Sequence, residues 1–401
     1  MGIVHENFLR LAWTYALELL ERKADGLSGT GKVETNSRKI CVNILTLSMR
    51  QLEHGSSSHG SGVSSFVTAL VECVSRHEHM GPVVAELCCA ARVGSAVCAE
   101  LMNEVGGMNI TELSKSGGAA VKNVGIFLTS VAEMGPEVIT LYLPLIMNHL
   151  DSDVYQIRSA IVTVMGFTIA FIYRQVKNSL TEEGADDFGA NEDQEGRSVN
   201  IRSLVRIRED MLDILVERAR DTSSYTRAAV LRTWTFLVEA EALPITRIGS
   251  IAEVALDRLN DKTAAVRKGA LVLMTALLEF NPFSGNLSVG HYTQLRDEID
   301  KRLTARMSAM SAEKAAAAME SLEEEESGAP EGDADTAEDQ MDMVEIQEDP
   351  EVVALSAELG KCLSCLELLQ SIDAAVPIIE KMLSSRTSSD VVEALRFSAR
   401  A

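Results

Sequence analysis

The chain has few aromatic residues and no long unbroken apolar stretch. Phe, Trp and Tyr make up 4 % of its 401 residues, although apolar residues make up 46 %. A β-sandwich would need more aromatic and β-branched residues in alternation, so this composition favours helices packed on helices. No unbroken apolar stretch reaches the roughly 18 residues of a membrane-spanning helix, and no secretory signal stands at the start. We therefore predict an intracellular protein without a membrane span.

Basic residues are missing from two acidic segments. Residues 182–195 contain seven acidic side chains and residues 320–351 contain fifteen, with no Lys or Arg in either. Together the two segments account for the whole formal net charge of −22. Because they offer few apolar residues to bury, we predict that they are disordered. The neutral remainder leaves an anionic partner such as DNA possible, since the position of charges matters more than their sum.

The sequence also lacks a complete enzyme or metal motif. Gly26–Lys32 matches the first seven positions of a phosphate-binding P-loop, but Val33 stands where Ser or Thr would bind magnesium. Cys362 and Cys365 have the spacing of a metal or redox pair, yet no second pair accompanies them. Four histidines near Cys73 lack ligand spacing. Seven scattered cysteines indicate reduced thiols. We predict no enzyme, no cofactor, no metal site and no small-molecule substrate.

The strongest positive signal is an internal repeat of about 40 residues made of two helices. Apolar positions in both helices match between copies, and each copy carries an Asp followed by an Arg. The aligned pairs are Asp221 with Arg227, Asp261 with Arg267 and, with one more residue between them, Asp151 with Arg158. This period is typical of HEAT and armadillo repeats, whose helix pairs stack because one pair cannot bury both of its faces.

Each residue of the repeated pair has an expected role. The Asp between the helices is expected to cap the second helix by accepting hydrogen bonds from its free N–H groups. The Arg, one turn into that helix, is expected to bond to the neighbouring repeat and so form a ladder. At the start of the chain, one apolar face of a predicted helix is formed by Phe8, Leu11, Ala12, Tyr15 and Leu19.

We therefore predict an all-α fold, an α-solenoid of HEAT-type helix pairs interrupted by acidic disordered loops. The expected regions follow the chain in order: an N-terminal helical region at 1–120, HEAT-type helices at 121–180, an acidic loop at 181–196, HEAT repeats at 197–310, an acidic disordered linker at 311–350, and the truncated start of further HEAT-type helices at 351–401.

A small excess of basic residues lies within the repeats. Residues 197–306 contain 17 Lys or Arg against 14 Asp or Glu. Turns and helix starts line up along one edge of a solenoid, so basic clusters there are candidates for contacts with a DNA backbone. The alternative for each residue is a solvated face or a place in the internal ladder. The candidate DNA contacts are Arg202, Arg206, Arg208, Lys262, Arg267, Lys268, Lys301 and Arg302.

Several segments resemble the non-SMC HEAT-repeat regulatory subunits of condensin. The most specific are ALPITR (242–247), ALDRLNDK (255–262), VRKGA (266–270) and LLEFNPFS (277–284), and 150–158 and 388–397 resemble the family too. The resemblance runs from about residue 121 to the C-terminus. The segment NPFS favours the first condensin complex over the second.

The resemblance implies a non-catalytic regulatory subunit that acts in mitotic chromosome condensation and binds the kleisin subunit, the SMC ATPase heads and double-stranded DNA. ATP hydrolysis would belong to the SMC partners. The implied location is the nucleus and its chromosomes, with the cytoplasm for part of the cell cycle. Family members are much longer, so the chain is expected to be a fragment. The alternative is a general HEAT adaptor, of the transport-receptor or phosphatase-scaffold type, that binds protein without contacting DNA.

Overall fold

The computed structural model describes residues 2–22, 31–54, 60–91, 95–115, 117–182, 193–283, 288–326 and 349–400, and every regular element in this part of the chain is a helix. The sixteen α-helices described are α1 (Gly2–Glu21), α2 (Gly31–His54), α3 (Gly60–Arg76), α4 (Met80–Ala90), α5 (Ala96–Gly106), α6 (Ile110–Lys115), α7 (Ala119–Met134), α8 (Pro136–Met147), α9 (Tyr155–Glu182), α10 (Asp193–Arg218), α11 (Ser224–Glu239), α12 (Ile248–Leu259), α13 (Ala264–Glu279), α14 (Val289–Glu326), α15 (Pro350–Met382) and α16 (Ser388–Ser398).

Six of these helices pack side by side and form a continuous layer. In order they are α4, α7, α9, α11, α13 and α16, each in contact with the next. A second set of helices precedes them along the chain and packs against them: α8 and α10 contact α9, α12 contacts α13, and α15 contacts α16. Two layers built from successive helix pairs are what a HEAT-type solenoid requires. The predicted all-α solenoid is confirmed.

The core lies between the layers and is filled by the repeated apolar positions. In α11 the buried set includes Leu231, Trp234 and Leu237, and 40 residues later α13 places Leu271, Met274 and Leu277 at the same positions, also buried. Complete burial of each such side chain contributes roughly 1.5–3 kcal/mol. The repeat thus sets which face of each helix is buried, and the stacking of neighbours follows from it.

The α14 helix stands outside this regular pattern. It lies between the fifth and sixth helices of the layer in sequence, and it packs against α15 around Ile299, Leu355 and Cys362. The α15 helix in turn makes a long contact with α12. The pair formed by α15 and α16 therefore continues the stack directly after the pair formed by α12 and α13.

The first helix departs from the expected orientation. Its buried side chains are Trp13, Ala16, Leu17 and Leu20, and Trp13 packs edge-on against the ring of Phe66 with 5.2 Å between ring centres. Of the predicted face, Ala12 is partly buried and the other four residues, Phe8, Leu11, Tyr15 and Leu19, are exposed. The α1 helix is apolar on two faces, so the periodicity alone selected the wrong one for the core.

Two helices have the length and hydropathy of a membrane span: α9 over Tyr155–Ser179, and α15. Neither helix contains an unbroken apolar stretch of about 18 residues, because polar residues such as Thr163 interrupt the run while the mean hydropathy of the helix stays high. In the α9 window 61 % of the residues are buried, and in the α15 window 44 %. Both helices pack between neighbours of the stack, where core helices have the same composition.

The helices extend into both acidic segments. The α9 helix ends at Glu182 and α10 begins at Asp193, while α14 runs to Glu326 and the N-cap of α15 is Asp349. The predicted disorder of the acidic loops concerns mainly residues 183–192 and 327–348, which lie outside the described residues. The same holds for most of Gly26–Lys32, although the described α1 shows that a helix, not a strand, precedes that segment.

Candidate functional site along the inter-helix turns

An arginine stands at the fourth position of α9, α11 and α13, and each reaches the next repeat. Arg158 donates from Nε and Nη2 to the two carboxylate oxygens of Asp221 at 3.0 and 2.8 Å. Arg227 donates in the same way to Asp261 at 2.8 and 3.0 Å. Two parallel N–H to O bonds make each pair strong and fix its geometry. The side chain of Asp221 is 2 % exposed and that of Asp261 5 %, so both pairs are shielded from water.

The third nitrogen of each guanidinium bonds to its own turn. Nη1 of Arg227 donates to the carbonyl of Asp221 at 2.9 Å, and Nη1 of Arg267 donates to the carbonyl of Asp261 at 2.9 Å. Carbonyls in a tight turn have no helix partner, so these bonds satisfy them. One arginine therefore fixes the turn before its helix and ties that helix to the following repeat.

The aspartates do not cap the helices as expected. Asp221 accepts from the N–H of Ser223 at 2.7 Å, and Asp261 accepts from the N–H of Thr263 at 2.9 Å. Ser223 and Thr263 are themselves the N-cap residues, and neither side chain makes a cap hydrogen bond. The bonded N–H groups thus lie ahead of the helix, and the aspartates form Asx turns that hold the carboxylates toward the preceding arginine.

The first copy of the repeat is shifted by one residue from the sequence alignment. Arg158 donates to the carbonyl of Ser152 at 2.7 Å, so Ser152, and not Asp151, occupies the place of Asp221 and Asp261. The hydroxyl of Ser152 accepts from the N–H of Val154 at 3.3 Å and completes the turn. The side chain of Asp151 is 90 % exposed and pairs with Arg218 at 3.2 Å. Its assignment to the internal ladder is therefore corrected.

The ladder has a further rung at its C-terminal end. Arg267 donates from Nε and Nη2 to Asp390 of α16, at 3.2 and 2.8 Å. The turn position before α16 holds Ser385, whose hydroxyl accepts from the N–H of Thr387 and donates to Asp390 at 3.1 Å. The carboxylate has moved from the turn into the helix. A search for Asp six residues before a helical Arg misses this rung, whereas the Ser385-x-Thr387 turn indicates it.

The ladder shifts the pKa of its two turn aspartates downward. Burial acts to raise the pKa of Asp221, but the hydrogen bonds from Arg158 and from the N–H of Ser223 outweigh it. The pKa of Asp261 is lowered in the same way by Arg227 and the N–H of Thr263, again against the opposing effect of burial. Both groups are ionised at neutral pH and bound on both oxygens. They therefore have a structural role and offer no free acid or base.

Three of the eight candidate DNA contacts are bonded to acidic residues. Arg267 belongs to the ladder, and Nζ of Lys268 lies 3.6 Å from the buried carboxylate of Glu393. Arg208 donates to the carboxylate of Glu209 at 2.6 Å, and its guanidinium lies 5.8 Å from the ring centre of Tyr173. The ladder alternative thus describes Arg267 better than a DNA contact does.

The other five candidates are exposed and form no ion pair with any residue that the structure describes. Arg202 and Arg206 lie on α10, Lys262 lies in the turn before α13, and Lys301 and Arg302 lie on α14. These three places are a helix of the second layer, a turn that contains a ladder aspartate, and the helix that stands outside the regular pattern. The five residues remain candidates for binding an anionic partner.

The described residues contain no group of three or more His, Cys, Asp or Glu side chains placed to hold a metal ion. Cys362 and Cys365 are buried within α15. Cys73 donates to the carboxylate of Glu21 at 2.8 Å, and the ring of His79 bonds to the carbonyl of Leu20 at 3.0 Å. These side chains hold α1 against the α3–α4 turn.

No protein-family model matches the chain. The chain is 30 % identical over 333 residues to condensin complex subunit 1 of Mus musculus, which covers 82 % of the chain and 21 % of the mouse protein. It is 25 % identical over 290 residues to condensin complex subunit 1 of Homo sapiens, covering 72 % of the chain and 18 % of that relative. It is 30 % identical over 185 residues to condensin-1 complex subunit CAP-D2 of Arabidopsis thaliana, covering 46 % of the chain and 12 % of the plant protein.

Two solved structures align with most of the chain at low similarity. An engineered protein matches 89 % of the chain and 95 % of its own length at 12 % identity, with a TM-score of 0.39. A designed armadillo repeat protein in complex with the peptide (KR)4 matches 89 % of the chain and 98 % of its own length at 11 % identity, with a TM-score of 0.36.

The chain spans about a fifth of the length of the curated animal relatives that it matches. The relatives from animals and a yeast are named condensin complex subunit 1, and the plant relative is named as a subunit of the condensin-1 complex. The similarity includes the repeat region that the sequence singled out, and it agrees with the solenoid seen in the structure. The resemblance predicted from the sequence is thereby confirmed: the chain is a relative of condensin complex subunit 1.

Proposed function

We propose that the chain is part of a non-catalytic regulatory scaffold subunit of condensin that acts in mitotic chromosome condensation. The observation that carries the proposal is the similarity to condensin complex subunit 1 over up to 82 % of the chain. That similarity favours condensin over a general HEAT adaptor, which would share only the repeat architecture. Nuclear and chromosomal localisation, with the cytoplasm for part of the cell cycle, belongs to the same proposal.

The ladder supports a scaffold role. Its bonds join the pairs α8–α9, α10–α11, α12–α13 and α15–α16 into one stack, with each buried charge matched across a repeat boundary. A stack of this kind presents long surfaces to partners. By family resemblance the proposed partners are the kleisin subunit, the SMC ATPase heads and double-stranded DNA.

Association with condensin is tested by co-expression. The full chain, tagged, is expected to co-purify the kleisin and SMC subunits from the same source at a fixed ratio. The matched control is an unrelated HEAT-repeat protein of similar length and charge. Equal recovery of the condensin subunits by the control would overturn the proposal.

Contact with DNA is tested by a salt titration against a duplex of about 20 base pairs. We expect binding to weaken with salt, and we expect reversal of Arg202, Arg206 and Lys262 to Glu to weaken it by at least about tenfold and to reduce the salt slope. The matched control reverses three exposed cations elsewhere, Lys39, Arg50 and Lys381. Equal losses in both variants, or no binding at low salt, would show that the DNA contact belongs to other parts of the complex.

A further inference from the structure

A groove runs across four neighbouring helices of the layer. It has a volume of about 760 Å³, and its walls come from α7, α9, α11 and the start of α13. On one side stand Tyr155 and Tyr225, whose rings stack with 4.8 Å between centres and an angle of 18° between planes. Tyr225 is 64 % exposed, which leaves one face of this stack open to a ligand. None of the ladder's arginines and aspartates and none of the eight DNA-contact candidates lines this groove.

The floor of the groove is made of small side chains. Gly125 of α7, Ala160 of α9 and Ala228 of α11 line it, one helix after another. Small residues let a bound main chain come close to the helices. Gln156 and Ser224 also line the groove, and their side chains form no hydrogen bond with a residue that the structure describes. An amide and a hydroxyl can each donate and accept, as a peptide backbone requires.

The charges in the groove have one sign. Its lining includes Lys122 and Arg232 and no Asp or Glu. Arg232 is exposed and makes no ion pair with a described residue. Lys122 contacts Glu78 at 2.8 Å, but both side chains are more than half exposed, so this pair is weak and exchangeable. A ligand with negative charges at its ends would match this pattern.

We propose that the groove binds an extended, acidic polypeptide segment of a partner, an inference that rests on the proposed scaffold function. Four stacked helices span about 25–30 Å at about 8–10 Å spacing, which corresponds to about eight residues of extended chain at about 3.3 Å each. The exposed face of Tyr225 receives an aromatic or proline side chain, since rigid aromatic anchors carry much of the binding energy of interfaces.

The same surface fits a nucleic acid less well. A strand crossing 25–30 Å carries about eight phosphates at about 3.4 Å per charge along a duplex strand. Only Lys122 and Arg232 among the lining residues are cationic, so most of those phosphates would lose water without gaining a partner. Uncharged amide and hydroxyl groups suit a peptide backbone better.

The test uses the full chain and an array of acidic, neutral and basic peptides, each about twelve residues long. Half of the peptides come from the other condensin subunits, and half are composition-matched peptides from unrelated proteins. Binding of the hits is measured by fluorescence anisotropy with Arg232→Glu and Tyr225→Ala. The matched controls are Arg386→Glu, at an exposed turn, and Tyr15→Ala, whose side chain is 62 % exposed on α1.

We expect acidic peptides to bind and each groove variant to weaken them at least about tenfold, while the controls bind normally. Preference for basic peptides, unchanged binding in both groove variants, or capture of a single-stranded oligonucleotide in place of peptides would overturn the proposal. Condensin peptides that bind but ignore the groove variants refute the groove and leave the proposed function standing. Acidic peptides that bind the groove only when they come from unrelated proteins support the groove and count against the proposed function.

Discussion

All three nitrogens of the guanidinium donate hydrogen bonds in Arg158, Arg227 and Arg267. One edge binds a carboxylate in the next repeat, and the remaining nitrogen binds a carbonyl of the preceding turn. Lysine has a single donor group and cannot serve both directions with fixed geometry. The shape of the arginine side chain thus explains why an Asp and an Arg recur every 40 residues.

Removing Arg227 takes two hydrogen bonds from the buried carboxylate of Asp261, which keeps the N–H of Thr263 and a longer contact with Arg258 at 3.8 Å. Arg227→Ala is therefore expected to lower the free energy of unfolding by about 3–5 kcal/mol. The measurement is urea unfolding followed by circular dichroism. Lys115→Ala breaks an exposed pair with Glu112 and is expected to cost no more than about 0.5 kcal/mol. Equal, small losses in both variants would show that the ladder adds no stability.

Because the pKa values of Asp221 and Asp261 are lowered, the stability that the ladder contributes depends on pH. A depressed folded-state pKa contributes stability that is fully present above the unfolded pKa of about 3.9 and is lost as the pH falls toward the folded pKa. The stability difference between the parent chain and Asp221→Asn is expected to be constant from pH 7 to about pH 5 and to shrink below about pH 4. Asp151→Asn, at an exposed site, is the control; a constant difference down to pH 3 would contradict the expectation.

At the scale of helices, α12 and α15 pack closely against each other. The N–H of Gly249 donates to the hydroxyl of Ser364 at 2.8 Å, and that hydroxyl donates to the carbonyl of Ile245 at 2.8 Å. A methyl group on Gly249 would lie 2.6 Å from Cβ of Glu367 and 2.8 Å from the carbonyl oxygen of Ser364. Both distances are shorter than non-bonded atoms accept, so the two helices depend on a glycine here.

Gly249→Ala is accordingly expected to destabilise the chain by about 1–3 kcal/mol, because α15 must move away from α12. Gly290→Ala is the matched control: it also lies in a helix, but the nearest atom to its added methyl group would be 3.8 Å away. There the better helix propensity of Ala is expected to stabilise by up to about 1 kcal/mol. Thermal unfolding of both variants measures the difference, and a loss in neither would show that α15 adjusts freely.

The sequence predicted the helix pairs where the repeat is regular and failed where it is not. Leu231, Trp234 and Leu237 follow the helical period, so the core of α11 and α13 could be predicted directly. Asp151 was assigned one position too early, because Ser152 performs the turn's role with a hydroxyl. Gly249 gave no signal, since its importance comes from α15, which lies more than 100 residues further along the chain.

At the scale of the whole molecule, the last helix pair is held by contacts distant in sequence. The α15 helix packs on α12 and α14, α16 packs on α13, and Arg267 bonds to Asp390. The 40-residue period in the sequence ends at α13, because α14 and the second acidic segment separate the pair α12–α13 from the pair α15–α16. Periodicity identifies neighbours only when their spacing in the chain is constant.

This arrangement predicts that α15 and α16 stay bound after the chain is cut. With a protease recognition sequence inserted after residue 335, complete cleavage is expected to leave two fragments that co-elute in gel filtration and separate only in denaturant. Gly249→Trp, which blocks the contact between α12 and α15, is expected to release the C-terminal fragment. Separation of the unmodified fragments under native conditions would contradict the packing described for the pair.

Each arginine of the ladder binds a carboxylate in the following repeat, and this arrangement has a consequence for gene duplication. Residues 221–260 contain one hydrogen-bond acceptor, Asp221, and one donor, Arg227. Asp221 binds Arg158 of the preceding repeat, and Arg227 binds Asp261 of the following repeat. Excising this unit would bring Arg158 to Asp261, and copying it would add one matched pair. Solenoids of this kind can gain or lose whole units while their interior stays electrically neutral, so their length is free to change without a compensating mutation.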